Sequence, residues 1–323
     1  MKYYSVNNYI EDTFGRKLYK IAINAGFSCP NRDGTLGRGG CIFCDGGSGD
    51  FAGDVKETIS GQIEGGKTLI LNKMTGAVKN ISQDCGGRIR RANGSCGNDG
   101  SENDCGGNFI AYFQAYTNTY APVEILRKYY FEAINHPDIA ALSIATRPDC
   151  ISDEVLELLK ECNSVKPTWV ELGLQTSNEK TAEYIRRGYS LDVYDDAVRR
   201  LNKIGIPQVI THVIVGLPGE DIKVMEETVH HAISVGTSGI KLQLLHVLKD
   251  TDLAKDYANG KFEILSLEEY GDIIIDLLGQ IPKNVVIHRI TGDGNKRRLV
   301  APLWSGDKKK VLNYLNKRIN DEL

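Results

Sequence analysis

The chain has 323 residues, enough for one large α/β domain or two ordinary domains. Its hydrophobic content of 41% supports a substantial core, and its formal net charge of −3 argues against a generally basic nucleic-acid binder while allowing a local basic patch. Apolar runs of about 18 residues and a signal-peptide segment are absent, so we expect a cytoplasmic protein with no membrane partner.

A glycine-rich loop with three cysteines follows the first predicted strand. Residues 1–16 are expected to form a polar and aromatic strap, and alternating apolar residues predict a strand over residues 17–24. Cys29, Cys41 and Cys44 then occur at the spacing C-x11-C-x2-C, and 40 residues separate Cys44 from the next cysteine. In a reducing compartment, such cysteines are metal ligands, buried thiols or redox groups before they are disulfides.

Three thiolates are an incomplete set for a structural zinc ion, which takes four protein ligands. On an iron–sulfur cube, three thiolates leave one iron free to bind another molecule. The triad therefore favours a 4Fe-4S cluster that binds S-adenosylmethionine (SAM) at its open iron. A zinc site with a remote fourth ligand, or three unrelated thiols, stays open as the alternative on spacing alone.

The composition changes after a short helix predicted over residues 55–64. Residues 65–108 hold ten of the 34 glycines among Asn, Asp and Ser, and this bias predicts a flexible insertion. Cys85, Cys96 and Cys105 lie within it and could bind an auxiliary cluster or zinc. Exposed thiols in a disordered loop are the favoured interpretation, because no close C-x2-C pair is present.

Strands and helices alternate from residue 109 onward. Strands are predicted over residues 109–113, 140–145, 169–174, 208–215, 239–245 and 285–290. Helices are predicted over residues 122–135, 153–162, 179–187, 191–204, 221–235, 266–278 and 308–320. The alternation predicts an α/β fold, a full or partial (β/α) TIM-like barrel with a C-terminal extension and with its chemistry at the carboxyl ends of the strands. We expect a core over residues 1–255 and an extension over residues 256–323 that packs on the barrel.

Polar side chains stand at the ends of two of these strands. The strand over residues 109–113 is followed by Gln114, Ala115, Tyr116 and Thr117, whose polar groups suit the ammonium and carboxylate of an amino acid. Arg147 follows the next strand and could form a charged fork to a carboxylate.

Two later strands add an acid, an amide and a glycine turn. Glu171 and Gln175 are four residues apart in an otherwise apolar run, so they lie on one strand face. Gly216 opens a tight turn after Val215, which would let backbone groups approach a flat base. Each feature alone is weak evidence, but four such strand ends beside a three-cysteine loop favour a ligand site.

With these motifs the chain resembles the radical SAM enzymes, nearest the branch that contains the elongator catalytic subunit and the bacterial YhcC/YtqA-like proteins. The resemblance covers residues 17–300 apart from the insertion, and it rests on the cysteine triad and the motifs YFQAYTNTY, TRPD, ELGLQT and GLPGE. The first cysteine spacing is longer than the C-x3-C-x2-C of the wider superfamily, as in the elongator-like branch.

The resemblance implies a site and a mechanism. It implies that Cys29, Cys41 and Cys44 hold the cluster, that residues 114–117 lie beside the methionine moiety, and that Glu171 and Gln175 lie near the cofactor. The turn after Val215 would border the adenine. A small electron-transfer protein such as flavodoxin or ferredoxin would reduce the cluster, and a 5′-deoxyadenosyl radical from SAM would abstract a hydrogen atom from the substrate.

The substrate is the weaker inference. The bacterial branch implies tRNA, modified at the wobble uridine side chain, and positive charge near the C-terminus agrees with a phosphate-contacting surface as well as with an ordinary solvated helix. These positive residues are Lys296, Arg297, Arg298, Lys308, Lys309, Lys310, Lys317 and Arg318. A radical SAM enzyme for a small molecule, and a non-catalytic iron–sulfur or zinc protein, stay open.

Several remaining cysteines and histidines have ordinary interpretations. We expect Cys150 and Cys162 to be buried small hydrophobic residues. His230 and His231 are expected on a helix away from the active face. The histidines predicted in or beside strands, which are His212, His246 and His288, either line the barrel mouth or belong to the core.

Overall fold

Seven parallel strands curl into a half-barrel in the order β1-β2-β3-β4-β5-β6-β8, which confirms the predicted α/β barrel in its partial form. The computed structural model describes residues 2–46, 52–77, 107–292 and 294–323. The strands of the half-barrel are β1 (Tyr19–Ile23), β2 (Phe109–Phe113), β3 (Ile139–Thr146), β4 (Thr168–Gln175), β5 (Gln208–Val215), β6 (Gly239–Leu244) and β8 (Val286–Arg289). A separate antiparallel pair joins β7 (Val247–Leu248) to β9 (Leu299–Ala301).

Helices follow the strands and cover the outer face of the sheet. Their bounds are α1 (Val6–Phe14), α2 (Ile59–Ala77), α3 (Val123–Ile134), α4 (Asp153–Val165), α5 (Glu179–Tyr184), α6 (Leu191–Lys203), α7 (Ile222–Val235), α8 (Asp252–Ala258), α9 (Leu267–Gln280) and α10 (Lys308–Glu322). Side-chain caps fix several of these starts: Ser152 caps α4, Asp221 caps α7, and Ser266 forms a capping box with Glu269 at α9. Within the described residues, no helix combines the length and the apolar character needed to cross a membrane.

Helix α1 closes the amino-terminal end of the half-barrel, where a polar strap is expected from the sequence. The Tyr9 ring packs edge-on against the buried Trp169 ring at 5.8 Å, and Ser5 pairs with Ile287 beside β8. Ile10 packs there with Ile110 and Ile210 from inside the sheet. Because this end is filled, the interior of the half-barrel opens at the carboxyl ends of its strands.

The structure corrects the prediction for residues 55–77, since α2 begins at Ile59 and continues to Ala77. Ile63 is fully buried, and a Cβ at Gly66 would lie 2.4 Å from Cγ2 of Ile21, so this glycine permits close packing on β1. The ammonium of Lys67 pairs with Glu64 and with the Asp138 carboxylate beside β3. Residues 65–77 are therefore helical, whereas Cys85, Cys96 and Cys105 lie outside the described residues.

Candidate active site

A cavity of about 470 Å³ lies at the carboxyl ends of the strands. The predicted positions on its wall are Cys29, Cys41, Cys44, Gln114, Tyr116, Thr117, Arg147, Glu171 and Gln175. Ala115, Val215 and Gly216 are not on this wall: Ala115 is buried, and the Val215 side chain packs in the apolar core beneath α7. Ile214 faces the cavity instead, so only backbone at this turn could border a ligand.

Hydrogen bonds within the cysteine loop shape it around the three sulfurs. The backbone N–H groups of Arg32 and Asp33 donate to the Cys29 carbonyl at 2.8 and 3.1 Å. The Asn31 amide lies 3.6 Å from Cys41 Sγ, and the Arg32 guanidinium lies 3.6 Å from Cys44 Sγ. Such donors stabilise thiolates, so the loop is chemically suited to soft, anionic sulfur ligands.

Burial raises the pKa of the Cys41 thiol to about 11, and the neighbouring Cys44 adds to the effect. A thiol of this kind stays protonated at neutral pH unless a metal displaces the proton. Because metal binding releases protons from its cysteine ligands, the site is expected to load metal less readily at low pH.

At least two of the three cysteine sulfurs lie further apart than the ligands of a single zinc ion. Within the described residues, three potential metal-ligand atoms that all lie within 4.8 Å of one another occur at Glu64, His136 and Asp138. The three cysteine sulfurs do not meet this criterion. Sulfurs bound to one zinc ion, each about 2.3 Å from the metal, lie less than about 4 Å apart. The Glu64 trio already surrounds the Lys67 ammonium, which lies 2.8 Å from Glu64.

Gln175 carries an unmet hydrogen-bond acceptor at the cavity wall. Its Oε1 is buried with no partner, and its backbone φ of 66° is in the left-handed region that non-glycine residues rarely adopt. A Cβ at Gly173 would lie 2.7 Å from Gln175 Nε2, so the glycine makes room for the amide. Strain and an orphaned oxygen at one residue indicate a position held ready for a ligand.

Glu171 is the centre of a buried polar layer across the half-barrel. Its side chain is on β4 and 1% exposed, and it accepts hydrogen bonds from five other strands. The donors are Lys20 at 3.0 Å, Tyr112 at 2.8 Å, Ser143 at 2.8 Å, His212 at 2.9 Å, and Lys241. These contacts occupy the lone pairs of the carboxylate, so Glu171 organises the cavity floor from within the sheet.

The polar layer contains one carboxylate, that of Glu171, and several basic side chains that compete for it. Burial alone would raise the pKa of Glu171, but Lys20 and Lys241 hold it well below its ordinary value. Burial lowers the pKa of Lys241 to about 7, against the attraction of Glu171 and with repulsion from Lys20 and Arg289. Burial and Lys241 lower the pKa of His212 to about 4, so a neutral imidazole donates to Glu171 through Nε2.

Arg147 forms the predicted charged fork, but with a partner inside the protein. Its guanidinium donates to both oxygens of Asp149 at 2.9 and 2.7 Å and to the Arg187 carbonyl at 3.0 Å. The guanidinium also lies 4.9 Å from the Tyr189 ring centre. Arg147 thus borders the cavity while its hydrogen-bonding edges are held by neighbouring groups.

The cavity wall also contains polar residues that were not anticipated from the sequence, among them Lys241, Gln243 and Arg289. Lys241 and Gln243 are polar residues two apart in the otherwise apolar strand β6, the same signal that pointed to Glu171 and Gln175. His212 and His246 also line the cavity, whereas His288 packs against Trp169 at the opposite end.

The remaining cysteine and charge predictions are met in part. Cys162 is fully buried in the core, but Cys150 is only half-buried. In the C-terminal cationic group, Arg318 pairs with Asp272 at 2.6 Å and also with Glu322, and Arg298 lies 3.6 Å from Asp45. Other members of the group are exposed, Lys296 and Arg297 among them.

Two family models match most of the chain. The model described as the radical SAM superfamily matches residues 101–232, and the radical SAM C-terminal domain matches residues 237–321. Protein YtqA of Bacillus subtilis is 40% identical over 321 residues, covering 99% of this chain and 90% of YtqA.

Two further similarities are more partial. The tRNA uridine(34) acetyltransferase of Methanocaldococcus jannaschii is 30% identical over 157 residues, covering 47% of this chain and 28% of that protein. The structure of the archaeal Elp3 of Methanocaldococcus infernus has a TM-score of 0.55 at 21% identity, covering 65% of this chain and 54% of that one. This structural likeness shows the shared fold.

Proposed function

The chain belongs to the radical SAM superfamily, with a 4Fe-4S cluster and SAM as its cofactors, and on that premise we propose that it modifies the wobble uridine of tRNA. The bound cofactors supply a 5′-deoxyadenosyl radical that removes a hydrogen atom from the substrate. The observation that carries the proposal is the convergence of three cysteines and the orphaned Gln175 oxygen on one cavity.

We assign the cluster to Cys29, Cys41 and Cys44. The Asn31 amide and the Arg32 guanidinium support the bound thiolates by donating toward the Cys41 and Cys44 sulfurs. Hydrogen bonds of this kind to cluster sulfurs tune the reduction potential of the metal site. A small electron-transfer protein such as flavodoxin or ferredoxin is the proposed electron source.

We assign contact with SAM to the wall formed by β2, β3 and β4. Gln114 and Gln175 offer amides there, and the Gln175 oxygen is the acceptor with an unmet hydrogen bond. Tyr116 and Thr117 follow Gln114 on the same wall. Arg147 and Glu171, whose hydrogen bonds are made within the protein, act as positioning residues that fix the cavity wall and its charge.

The tRNA substrate has narrower support. The tRNA uridine(34) acetyltransferase that resembles about half of this chain acts, according to its name, on a uridine of tRNA. In this chain, the exposed residues Lys296 and Arg297 follow Asn295, which lines the cavity. Lysine and arginine at such a mouth would contact phosphates of an RNA loop whose base enters the cavity. A cavity of about 470 Å³ has the size range of small-ligand sites.

The test compares the modified nucleosides of tRNA from a deletion strain with those from the parent strain by mass spectrometry. We expect an altered wobble-uridine profile, restored by the wild-type gene and not by the Cys41→Ala variant. An unchanged profile in the deletion strain would count decisively against tRNA and in favour of a small-molecule substrate.

A further inference from the structure

Strands β2, β4 and β6 bring equivalent residues together inside the half-barrel. Tyr112, Glu171 and Lys241 come from these three strands and hydrogen-bond to one another, so they form one layer. Side chains two residues apart on a strand point to the same face. Gln243 therefore lies one layer nearer the cavity mouth than Lys241, as Gln114 does relative to Tyr112.

Gln243 is a polar side chain with no protein partner. It lines the cavity, and among the described residues no hydrogen bond involves its side-chain amide. The alternate residues of β6, which are Ile240, Leu242 and Leu244, point the other way into the core. A free amide on an otherwise apolar interior strand has no use in packing, so it points to a ligand.

The position of Gln243 favours the substrate over the cofactor. The cysteine loop follows β1, and the proposed SAM contacts Gln114 and Gln175 belong to the ends of β2 and β4. Gln243 lies on β6, two strands further round, on the side of the cavity that Arg289 of β8 also lines. Gln243 thus lies away from these two proposed SAM contacts, on the side of the cavity that it shares with Arg289.

We infer that Gln243 recognises the uracil base of the substrate, an inference that rests on the proposed function. A carboxamide matches the imide edge of uracil, because its oxygen accepts from the ring N3–H while its NH2 donates to an adjacent carbonyl oxygen. Sequence-specific RNA recognition reads unstacked bases along such edges. Cytosine presents the reverse pattern, which the amide meets when it is turned over, whereas a methyl group on N3 of uracil removes the donor from this edge in either orientation of the amide.

The test uses reconstituted full-length enzyme and anticodon stem-loop RNAs that differ only in uridine or 3-methyluridine at the wobble position. Gln243→Met and Gln243→Ala are both measured, and Gln280→Met is the control because its amide is exposed on α9 and binds Glu226. We expect both Gln243 variants to keep iron and to form 5′-deoxyadenosine without RNA at the wild-type rate. Loss of the amide pair should lower RNA modification about 10-fold or more and abolish the preference for uridine.

Two outcomes would overturn the inference but leave the proposed function intact. In the first, the Gln243 variants modify RNA with the rate and the preference of the wild type. In the second, the variants retain iron but cleave SAM more slowly than the wild type when RNA is absent. The second outcome would make Gln243 a cofactor contact. A wild-type enzyme that forms 5′-deoxyadenosine but leaves the uridine RNA unmodified overturns the proposed function and this inference with it.

Discussion

The Tyr112 hydroxyl on β2 donates a 2.8 Å hydrogen bond to the Glu171 carboxylate on β4, past the intervening strand β3. This bond belongs to the layer in which Glu171 collects donors from five other strands. A buried carboxylate with this many donors links strands that are far apart in sequence, as Lys20 and Glu171 show with a separation of 151 residues.

Glu171→Gln should destabilise the fold strongly. The substitution keeps the size of the side chain but removes the counter-charge of the buried Lys241, which must then lose its proton or stay as an uncompensated ammonium, so the free energy of unfolding should fall by about 3–5 kcal/mol. Urea denaturation measures the change. Glu161→Gln is the control, because Glu161 pairs with Arg127 at the surface and its loss should cost much less than the loss of Glu171. Equal small losses in both variants would contradict the proposed role of the layer.

The stability of the wild type relative to Lys241→Met should rise between about pH 7 and pH 9. Lys241 has a pKa of about 7 in the folded chain, below its value near 10.4 in an unfolded chain. Within this window the unfolded state binds more protons than the folded state, so the free energy of unfolding increases with pH. Urea titrations at several pH values would show this slope, and a flat line over the same window would mean that Glu171 keeps Lys241 charged.

Cys41→Ala should abolish the cluster. Anaerobic reconstitution should give about four irons per wild-type chain and far fewer in the variant, because two remaining thiolates cannot hold a site built for three. Iron analysis and the visible absorption band report the result. Cys162→Ala should retain full iron, since Cys162 is buried in the core. A colourless wild-type protein that holds only zinc would contradict the cluster.

Gln175→Met should separate binding from stability. The variant removes the orphaned oxygen at nearly constant volume, so SAM affinity should fall about 10-fold, as for one lost hydrogen bond to a charged or polar ligand group. The midpoint of thermal unfolding should stay equal or rise, because a buried acceptor without a partner is unfavourable. Equilibrium dialysis of SAM with the reconstituted enzyme tests the predicted affinity, and calorimetry tests the predicted midpoint of unfolding. An unchanged affinity for SAM would show that Gln175 does not bind it.

Much of the half-barrel follows from local sequence signals. The strands β2 and β5 have the predicted bounds, because runs rich in apolar, β-branched and aromatic residues between glycine, proline and polar residues indicate buried parallel strands. The recognition of the radical SAM family is confirmed by the matching family models. The cysteine triad needs no three-dimensional knowledge to be noticed, since its spacing is local.

The features of the fold and of the cavity that the sequence does not indicate depend on contacts between distant residues. Helix α1 is only nine residues long, and its capping box pairs Ser5 with Asn8 instead of the usual Glu or Gln. Helix α2 contains Gly65 and Gly66, which lower the helix propensity of this segment. The packing of α2 on β1 is therefore not indicated by the sequence. The five hydrogen-bond partners of Glu171 are spread over other strands and cannot be read from its own segment.

The most direct test of the central claim is the anaerobic incubation of the reconstituted enzyme with SAM and dithionite, with quantification of 5′-deoxyadenosine. We predict formation of 5′-deoxyadenosine and methionine in equal amounts by the wild type and none by Cys41→Ala. Iron-loaded wild-type enzyme that forms no 5′-deoxyadenosine, either alone or with tRNA present, would contradict the claim that this cavity is a radical SAM active site.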